Sequence, residues 1–478
     1  MDNKAPALPA APPAPTPSDK ELYKGYKART IAVLKKFGVK TWSDVEITAT
    51  TGKFVGIILP RAEQSPDGYV VIKIRTGYNT GVAVDNILDM KEIGFKEGKY
   101  KIPEKQFPVS PNKPLVTLLG TGGTIASRLD YRTGAVIPAF SPGELYGAVP
   151  ELADYCNLTT RKIFGIFSED MSSNEWKTIA TEIGNEIEKG CDGIVIGHGT
   201  DTMHYTAAIL TFMCQNLPCP VVIVGSQRSS DRPSSDAALN LTNAVKTAAE
   251  SDFAEVMVCM FGPTSDEYCL LHRGTRVRKM HSSYRSTFRT IGDTPLAMVS
   301  PKWIKPIHRD YRVRDKSRKP IIKPVFEDRV SMLYYYPNMS PDLVDSLRDN
   351  GYKGLVIIGT GLGHVNRKMN PALKRAVDSG MHVYMCVQTL WGYVQMFVYD
   401  TGRDLLELGV VPLGNMIPET SFAKLGWALG QSSDREEVKK IMLTPVGHDI
   451  TEGEPSNGYL IFQGGTPDIE EFLKHIKF

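Results

Sequence analysis

Two glycine-rich turns carry hydroxyl and carboxylate side chains directly after apolar runs that are typical of buried strands. Residues 120–124 read Gly-Thr-Gly-Gly-Thr and end at Thr124, and residues 197–201 read Gly-His-Gly-Thr-Asp and end with Thr200 and Asp201. A hydroxyl of this kind attacks a carbonyl carbon once a neighbouring base takes its proton, and nearby donors stabilise the oxyanion that forms. The two matched turns therefore predict that two threonine hydroxyls converge on one site.

Other interpretations of these turns rest on their spacing alone. A phosphate-binding loop needs Gly-Lys-Ser or Gly-Lys-Thr after the turn, and no lysine follows; a dinucleotide-binding turn needs Gly or Ala where Ile125 stands. Both nucleotide interpretations fail on a specific residue. A plain tight turn between a strand and a helix remains open for the first segment, and helix capping by Asp201 or Thr202 remains open for the second.

Two further segments contain polar groups that suit a site. Residues 225–228 form a Gly-Ser-Gln-Arg turn that includes Ser226, after another apolar run. Residues 273–289 are strongly basic and contain Lys279. Basic runs are usually solvated, but a lysine beside a threonine can act as its base if desolvation lowers its pKa. Both possibilities stay open at this point.

The elements around these turns must hold them in place. From residue 114, apolar runs alternate with longer helical stretches, which predicts a parallel sheet with its site loops at the carboxyl ends of the strands. Short β-rich runs between residues 44 and 84, separated by glycine and proline, predict a small β-barrel. We therefore predict five segments: a Pro/Ala-rich tail (1–20), a small β-barrel domain (21–105), a catalytic α/β domain (112–300), a basic linker (301–328) and a C-terminal α/β domain (329–478).

Composition disfavours several classes of protein. The formal net charge of the 478 residues is only +3, which favours neither a nucleic-acid binder nor an acidic tail. The seven cysteines are scattered and never spaced as Cys-x-x-Cys, so we expect reduced thiols in the cytoplasm and no metal site. No apolar run reaches the roughly 20 residues that a membrane span needs, and we expect no membrane segment.

The chain resembles the asparaginase/glutaminase family of amidohydrolases from about residue 113 to about residue 465. Residues 112–127 are similar to the family's first signature and residues 197–203 to its second. The β-rich segment around residues 77–79 is similar to a domain that simple asparaginases lack and that the glutaminase subunits of archaeal tRNA-dependent amidotransferases carry. The resemblance implies an α/β fold with an asparaginase-like parallel-sheet N-domain and a smaller α/β C-terminal domain, preceded by a small β-barrel domain.

The resemblance also implies roles for individual residues. Thr124 matches the nucleophile. Tyr131 is the uncertain partner of that nucleophile, because Ala135 stands at the position of the family's tyrosine unless the register shifts. Leu362 stands where a neighbouring subunit contributes an asparagine in periplasmic asparaginases. The other matching positions form a hydroxyl–carboxylate–amine group and a set of substrate-binding groups: Thr200, Asp201 and Lys279 for the first, and Ser168, Glu169, Gly199 and Ser226 for the second.

A glutaminase subunit of this kind would hydrolyse glutamine through an acyl-enzyme at Thr124 and pass the ammonia to a partner. The resemblance implies that the partner, the amidotransferase's E subunit, binds tRNA(Gln), ATP and Mg²⁺ and amidates Glu-tRNA(Gln), while this chain binds no cofactor. It also implies a homodimer within an α2β2 heterotetramer. A free-standing L-asparaginase is the alternative. A non-enzymatic scaffold or tRNA-binding module is a third interpretation, which rests on the barrel and on basic residues 302–323.

Overall fold

The computed structural model of the protein describes residues 19–62, 65–96, 110–122, 127–129, 136–138, 149–229 and 234–455. The chain divides into two compact units, Met1–Lys101 with Leu129–Val136, and Ile102–Arg128 with Ile137–Phe478. The first 18 residues of the predicted tail lie outside the described residues. So do Thr124, Tyr131 and Ala135.

The N-terminal unit is a five-stranded antiparallel sheet with two short helices. Its strands lie in the order β4-β3-β2-β1-β5, and alternate residues such as Val45 and Ile47 are fully buried, as the period-2 pattern of a half-buried strand requires. This agrees with the predicted barrel-like domain. Strand β5 lies beyond the predicted strands, because only Met90 is buried along it and its apolar alternation is weak. The elements are α1 (Asp19–Leu22), α2 (Ala28–Lys36), β1 (Ser43–Ala49), β2 (Gly52–Ile58), β3 (Tyr69–Ile74), β4 (Asn79–Ala83) and β5 (Ile87–Phe95).

The second unit begins with an α/β domain around an eight-stranded sheet in the order β18-β17-β14-β13-β12-β10-β6-β9. Its described elements are β6 (Leu115–Gly122), β7 (Ser127–Leu129), β8 (Val136–Pro138), β9 (Asn157–Ile166), α3 (Ser173–Glu188), β10 (Gly193–Gly197), α4 (Met203–Met213), β11 (Cys214–Gln215), β12 (Val221–Val224), α5 (Ala237–Glu250), β13 (Val256–Phe261), β14 (Cys269–Arg273), β15 (Val277–Lys279), β16 (Phe288–Thr290), β17 (Ala297–Ser300), β18 (Trp303–Pro306) and β19 (Ile321–Ile322).

Five strands of this sheet, β9, β6, β10, β12 and β13, are parallel. The alternating pattern predicted the last four of them, and β9 was not predicted. Residues of β10 contribute to cores on both faces, with Ile194 and Ile196 in one and Val195 in the other. Burial on both faces explains why the sequences of these strands are continuous apolar runs. The remaining strands, β14, β17 and β18, are antiparallel and extend one edge. They were not predicted.

The basic stretch predicted as a linker takes part in this domain. Strand β18 pairs with β17 at the sheet edge, and β19 pairs with β11. The guanidinium group of Arg314 donates hydrogen bonds to the carbonyls of Ser251, Asp192 and Ala248. This arginine therefore ties loops together at one side of the sheet, and an interpretation of the stretch as a simple solvated connection is incomplete.

The C-terminal α/β domain has a four-stranded parallel sheet in the order β20-β21-β22-β23. The ring of Trp427, on α9, stacks on Phe212 of α4 with centroids 5.8 Å apart, so the two α/β domains share a core. No helix in the described part of the chain combines the length and apolar character that a membrane crossing requires. The elements are β20 (Val330–Tyr334), α6 (Asp342–Asp349), β21 (Gly354–Gly359), α7 (Asn370–Asp378), β22 (His382–Val387), α8 (Asp400–Glu407), β23 (Val411–Pro412), α9 (Pro418–Leu429) and α10 (Arg435–Leu443).

Candidate active site

The loops that carry the proposed site residues follow four adjacent parallel strands. In the register of the sheet, Gly197 of β10 lies opposite Gly120 of β6 on one side and Val224 of β12 on the other. Strands β10 and β12 therefore end level with each other, while β6 continues to Gly122 and ends beside Ile166 of β9. The loops after these strands leave from the same edge of the sheet, which is where ligands bind in open α/β sheets.

The amine of Lys279 contacts two oxygen atoms of the loop that follows β10. Its Nζ lies 3.0 Å from Oγ1 of Thr200 and 2.6 Å from Oδ1 of Asp201. Thr200 is buried, and the side chains of Lys279 and Asp201 are 9% and 67% exposed. A largely buried amine thus joins a buried hydroxyl to a carboxylate that faces solvent. Such an amine can take a proton through the hydroxyl, while the carboxylate stabilises the ammonium that forms.

Ser168 and Glu169 lie in a 3-10 turn, Ser168–Asp170, after β9. The hydroxyl of Thr202 donates a 2.6 Å hydrogen bond to the carbonyl of Ser168, which joins this turn to the loop after β10. Gly199 is required at the contact, since a Cβ added there would lie 2.7 Å from Cβ of Ser168. Ser168 is buried and Glu169 is exposed, so the Glu169 carboxylate is open to a cationic group of a substrate.

The turn after β12 is held by an acid to which the sequence analysis assigned no role. Both carboxylate oxygens of Asp236 accept the backbone N–H of Gln227, at 3.1 and 3.0 Å, and one also accepts that of Arg228. Burial raises the pKa of Asp236, and the N–H groups of Arg228 and Gln227 oppose that shift. The turn carries Ser226, whose Oγ is buried without a hydrogen-bond partner among the described residues. Its place after β12 makes that hydroxyl a candidate substrate-binding group.

The strand that leads to Thr124 contacts the second loop. The hydroxyl of Thr121 donates a 2.9 Å hydrogen bond to the carbonyl of Gly197. Gly122 has a φ of +118°, and a Cβ there would lie 2.2 Å from the carbonyl oxygen of Ile166. This position therefore requires glycine. The nucleophile itself, like Tyr131, lies outside the described residues, and its assignment remains a prediction.

Two histidines near the site are neutral. Burial lowers the pKa of His198 to about 4, and its Nδ1 lies 2.6 Å from the carbonyl oxygen of Gly199. Burial, and next the charges of Arg278 and Lys279, lower the pKa of His204 to about 3. Neither ring contacts Thr200 through a hydrogen bond in the described part of the chain. We infer that both rings shape the loop as neutral groups.

The structure thus brings Thr200, Asp201 and Lys279 into direct contact, and Gly199 packs against Ser168. Glu169 and Ser226 lie at the same sheet edge and make no hydrogen bond to this group among the described contacts. Across the described ranges, no group of three or more His, Cys, Asp or Glu side chains is arranged to hold a metal ion.

Three family models match the chain. They are the N-terminal domain of asparaginases over residues 115–311, the glutaminase/asparaginase C-terminal domain over residues 329–442, and the GatD N-terminal domain over residues 39–93. The D subunit of glutamyl-tRNA(Gln) amidotransferase from Thermococcus kodakarensis is 50% identical, over 86% of this chain and 93% of that protein. The D subunit from Pyrococcus furiosus is 48% identical, over 90% of this chain and 99% of that protein. The chain belongs to the family of glutamyl-tRNA(Gln) amidotransferase D subunits.

Solved asparaginase structures match a smaller part of this D-subunit chain. The thermostable L-asparaginase from Thermococcus kodakarensis is 31% identical, with a TM-score of 0.64, and covers 71% of this chain and 100% of its own. L-asparaginase I from Vibrio cholerae is 29% identical, with a TM-score of 0.61, and covers 71% of this chain and 99% of its own. These matches support the asparaginase-like fold, and the longer D-subunit matches favour a glutaminase subunit over a free-standing asparaginase.

Proposed function

We propose that this chain hydrolyses the side-chain amide of glutamine and supplies the ammonia for the amidation of Glu-tRNA(Gln) to Gln-tRNA(Gln). The observation that carries the proposal is the contact of Lys279 Nζ with the Thr200 hydroxyl, 3.0 Å away, at the sheet edge where β6 leads toward Thr124. The D-subunit relatives, which cover most of the chain, supply the wider reaction.

In the proposed reaction, the Thr124 hydroxyl oxygen forms a bond to the amide carbon of glutamine. Its proton passes toward Lys279 through the Thr200 hydroxyl. The carbon–nitrogen bond then breaks as the leaving nitrogen takes up a proton, so that ammonia departs. Water attacks the resulting ester in the same way, which releases glutamate and restores the Thr124 hydroxyl. Buried donors at the strand ends stabilise the oxyanion of each step.

The remaining site residues suit the amino-acid end of glutamine. The carboxylates of Glu169 and Asp201 are exposed and can pair with the α-ammonium group. Ser168, the Gly199 backbone and Ser226 are donors for the α-carboxylate or the amide oxygen. The support for these roles is their common place at the carboxyl edge of the sheet and the match to the family's motifs.

We further propose that the chain acts as a homodimer in an α2β2 complex with the amidotransferase's E subunit in the cytoplasm. That partner would bind tRNA(Gln), ATP and Mg²⁺. The support is that the relatives are named as subunits of an amidotransferase and that neither glycine-rich turn of this chain fits a nucleotide-binding motif. Glycine residues 361 and 363, with φ of +52° and +102°, shape the turn after β21 that we expect to approach the neighbouring copy.

A free-standing L-asparaginase is the second candidate, favoured only by the asparaginase structures that cover 71% of the chain. Ammonia release from glutamine and from asparagine should be measured with the chain alone, and then with the E subunit, ATP and Glu-tRNA(Gln). The proposal predicts that glutamine turnover rises when partner and tRNA are added and that Gln-tRNA(Gln) accumulates. Fast asparagine turnover by the chain alone, with no response to the partner, would support the asparaginase.

A further inference from the structure

We propose that Glu419 is a positioning residue that sets the place of the Lys279 amine through an ion pair with Arg278. The proposal rests on the proposed function, in which Lys279 assists amide hydrolysis. Glu419 lies on α9 of the C-terminal domain, far from the strand-end loops in the chain. The C-terminal domain of the same chain therefore helps to hold the Lys279 amine in place.

Lys279 sits on a ribbon that is too small to hold it alone. Strands β15 and β16 pair over only three residue pairs, and they form a separate two-stranded sheet. An isolated two-stranded ribbon is marginally stable at best. The position of Lys279 therefore depends on what holds the ribbon from outside.

Alternation along β15 sends neighbouring side chains to opposite faces. Lys279 meets Thr200 and Asp201 on one face. On the other, Nη1 of Arg278 lies 3.0 Å from Oε1 of Glu419. A shift of Arg278 toward or away from α9 must move the adjacent Lys279 backbone, and with it the amine.

The residues just before β15 are bound to the same C-terminal domain. Arg276, fully buried, donates to the carbonyl and side-chain oxygens of Asn415, at 2.8 and 3.0 Å, and to the carbonyl of His448. The hydroxyl of Thr420, next to Glu419, donates to the carbonyl of Thr275. One end of the ribbon is thus fixed, and the Arg278–Glu419 pair is the contact with the C-terminal domain that lies nearest to Lys279 among the described ion pairs.

The Arg278–Glu419 ion pair contributes little to the stability of the fold. The Glu419 side chain is 6% exposed, and its Oε2 has no hydrogen-bond partner among the described residues. Burial raises the pKa of Glu419, and the charge of Arg278 opposes the shift. Desolvation of two ions offsets much of their attraction, so such a pair contributes little net stability. A role in holding Arg278 explains why Glu419 is buried although only one of its carboxylate oxygens has a partner among the described residues.

The test uses Glu419→Gln in the full chain assembled with its partner. We expect kcat for glutamine hydrolysis to fall about tenfold with KM within about twofold, because a misplaced group costs rate more than binding. Glu419→Asp, which keeps the carboxylate, should recover part of the lost kcat.

Glu186→Gln is the matched control. Glu186 is also a buried acid paired with an arginine, Arg161, but it lies on α3 and contacts no site residue in the described structure. We expect this variant to lose thermal stability without a loss of kcat. If Glu419→Gln lowered only the melting temperature and left kcat unchanged, the pair would be merely structural and the proposal would be wrong.

A spectroscopic measurement independent of activity separates this proposal from the proposed function. The Lys279 signal of protein labelled with [ε-¹³C]lysine, assigned by comparison with Lys279→Arg, reports the surroundings of the amine directly. We expect its chemical shift, measured at one fixed pH, to change in Glu419→Gln and to match the wild type in Glu186→Gln. If the wild-type enzyme released no ammonia from glutamine, the proposed function would fail while this comparison still decided the positioning role. Identical signals in all three proteins would overturn it.

Discussion

At the scale of single residues, the chemistry depends on an amine that contacts two unlike oxygen atoms. The Lys279–Asp201 contact is 2.6 Å, but the carboxylate is 67% exposed, so solvent screens much of that attraction. The hydroxyl of Thr200 is buried beside the same amine. The hydroxyl–amine contact is thus the better protected of the two, and it is the one that the proposed proton transfer uses.

We predict that Lys279→Met and Thr200→Ala each lower kcat for glutamine hydrolysis about 10²- to 10⁴-fold, the range of a lost proton-transfer group. The kcat of the double variant should be about equal to that of the less active single variant, because the two groups act as a unit. Steady-state ammonia release measures this. Lys353→Ala, which breaks an exposed ion pair with Glu327 elsewhere, is the control. Additive losses in the double variant would contradict a shared pathway.

Residue types near the turns were predictable because their motifs are local in sequence. Thr200 and Asp201 follow one apolar run within five residues, so the sequence pattern alone identifies them as candidate site residues. Lys279 was one candidate within a basic run, which is usually solvated, and the resemblance was needed to assign it to the site. The burial of Arg276 was not predictable, since its partner Asn415 lies 139 residues away in the chain. Tertiary contacts of that range leave no local signal.

At the scale of elements, the parallel strands place the site and glycine residues let their loops approach. The apolar runs of β10 and β12 are buried on both faces, which made these strands predictable. Of the antiparallel strands that were missed, β14 ends in Arg273 and β18 contains Lys305, whereas β17 (Ala297–Ser300) is a run of only four residues with no charge. Where the sheet ends, Gly199 and Gly122 allow backbone contacts that a side chain would block.

We predict that Gly199→Ala lowers kcat/KM about 100-fold with the fold retained, because the added Cβ would lie 2.7 Å from Cβ of Ser168 and must displace a substrate-binding loop. Steady-state kinetics measure kcat/KM, and circular dichroism shows whether the fold is retained. Gly453→Ala is the matched control, since nothing lies within 4 Å of a Cβ there. Unchanged kinetics in Gly199→Ala would mean that the contact does not set the site.

A second prediction at this scale concerns His308 and Asp293, which flank β17 and β18. The hydrogen bond that the His308 ring donates to the Asp293 carboxylate raises the pKa of His308 above its usual 6.5. The imidazolium is therefore favoured by folding, and this stabilisation is complete below about pH 6.5 and is lost as the pH rises through the raised pKa. Urea unfolding should show a stability gap between wild type and His308→Gln that is larger near pH 5.5 than near pH 9. A gap independent of pH would refute the assignment.

At the scale of the whole molecule, the chain carries more than an amidase requires. The N-terminal unit matches a domain of D subunits over residues 39–93, and its edge strand β5 exposes Leu88, Ile93 and Phe95. An amide hydrolase gains nothing from such a unit, so we expect it to serve the assembled amidotransferase. The barrel-like unit was predictable from short alternating strands. Its use was not, because a partner leaves no pattern in one chain.

In the proposed function, attack of the Thr124 hydroxyl on glutamine liberates the ammonia that is used to make Gln-tRNA(Gln). The most direct test is Thr124→Ala assembled with the E subunit, supplied with ATP, Glu-tRNA(Gln) and either glutamine or ammonium chloride. We predict that Gln-tRNA(Gln) formation from glutamine falls at least about 100-fold, while formation from ammonium chloride matches the wild type, because only the amide hydrolysis is lost. Near wild-type formation from glutamine would contradict the account.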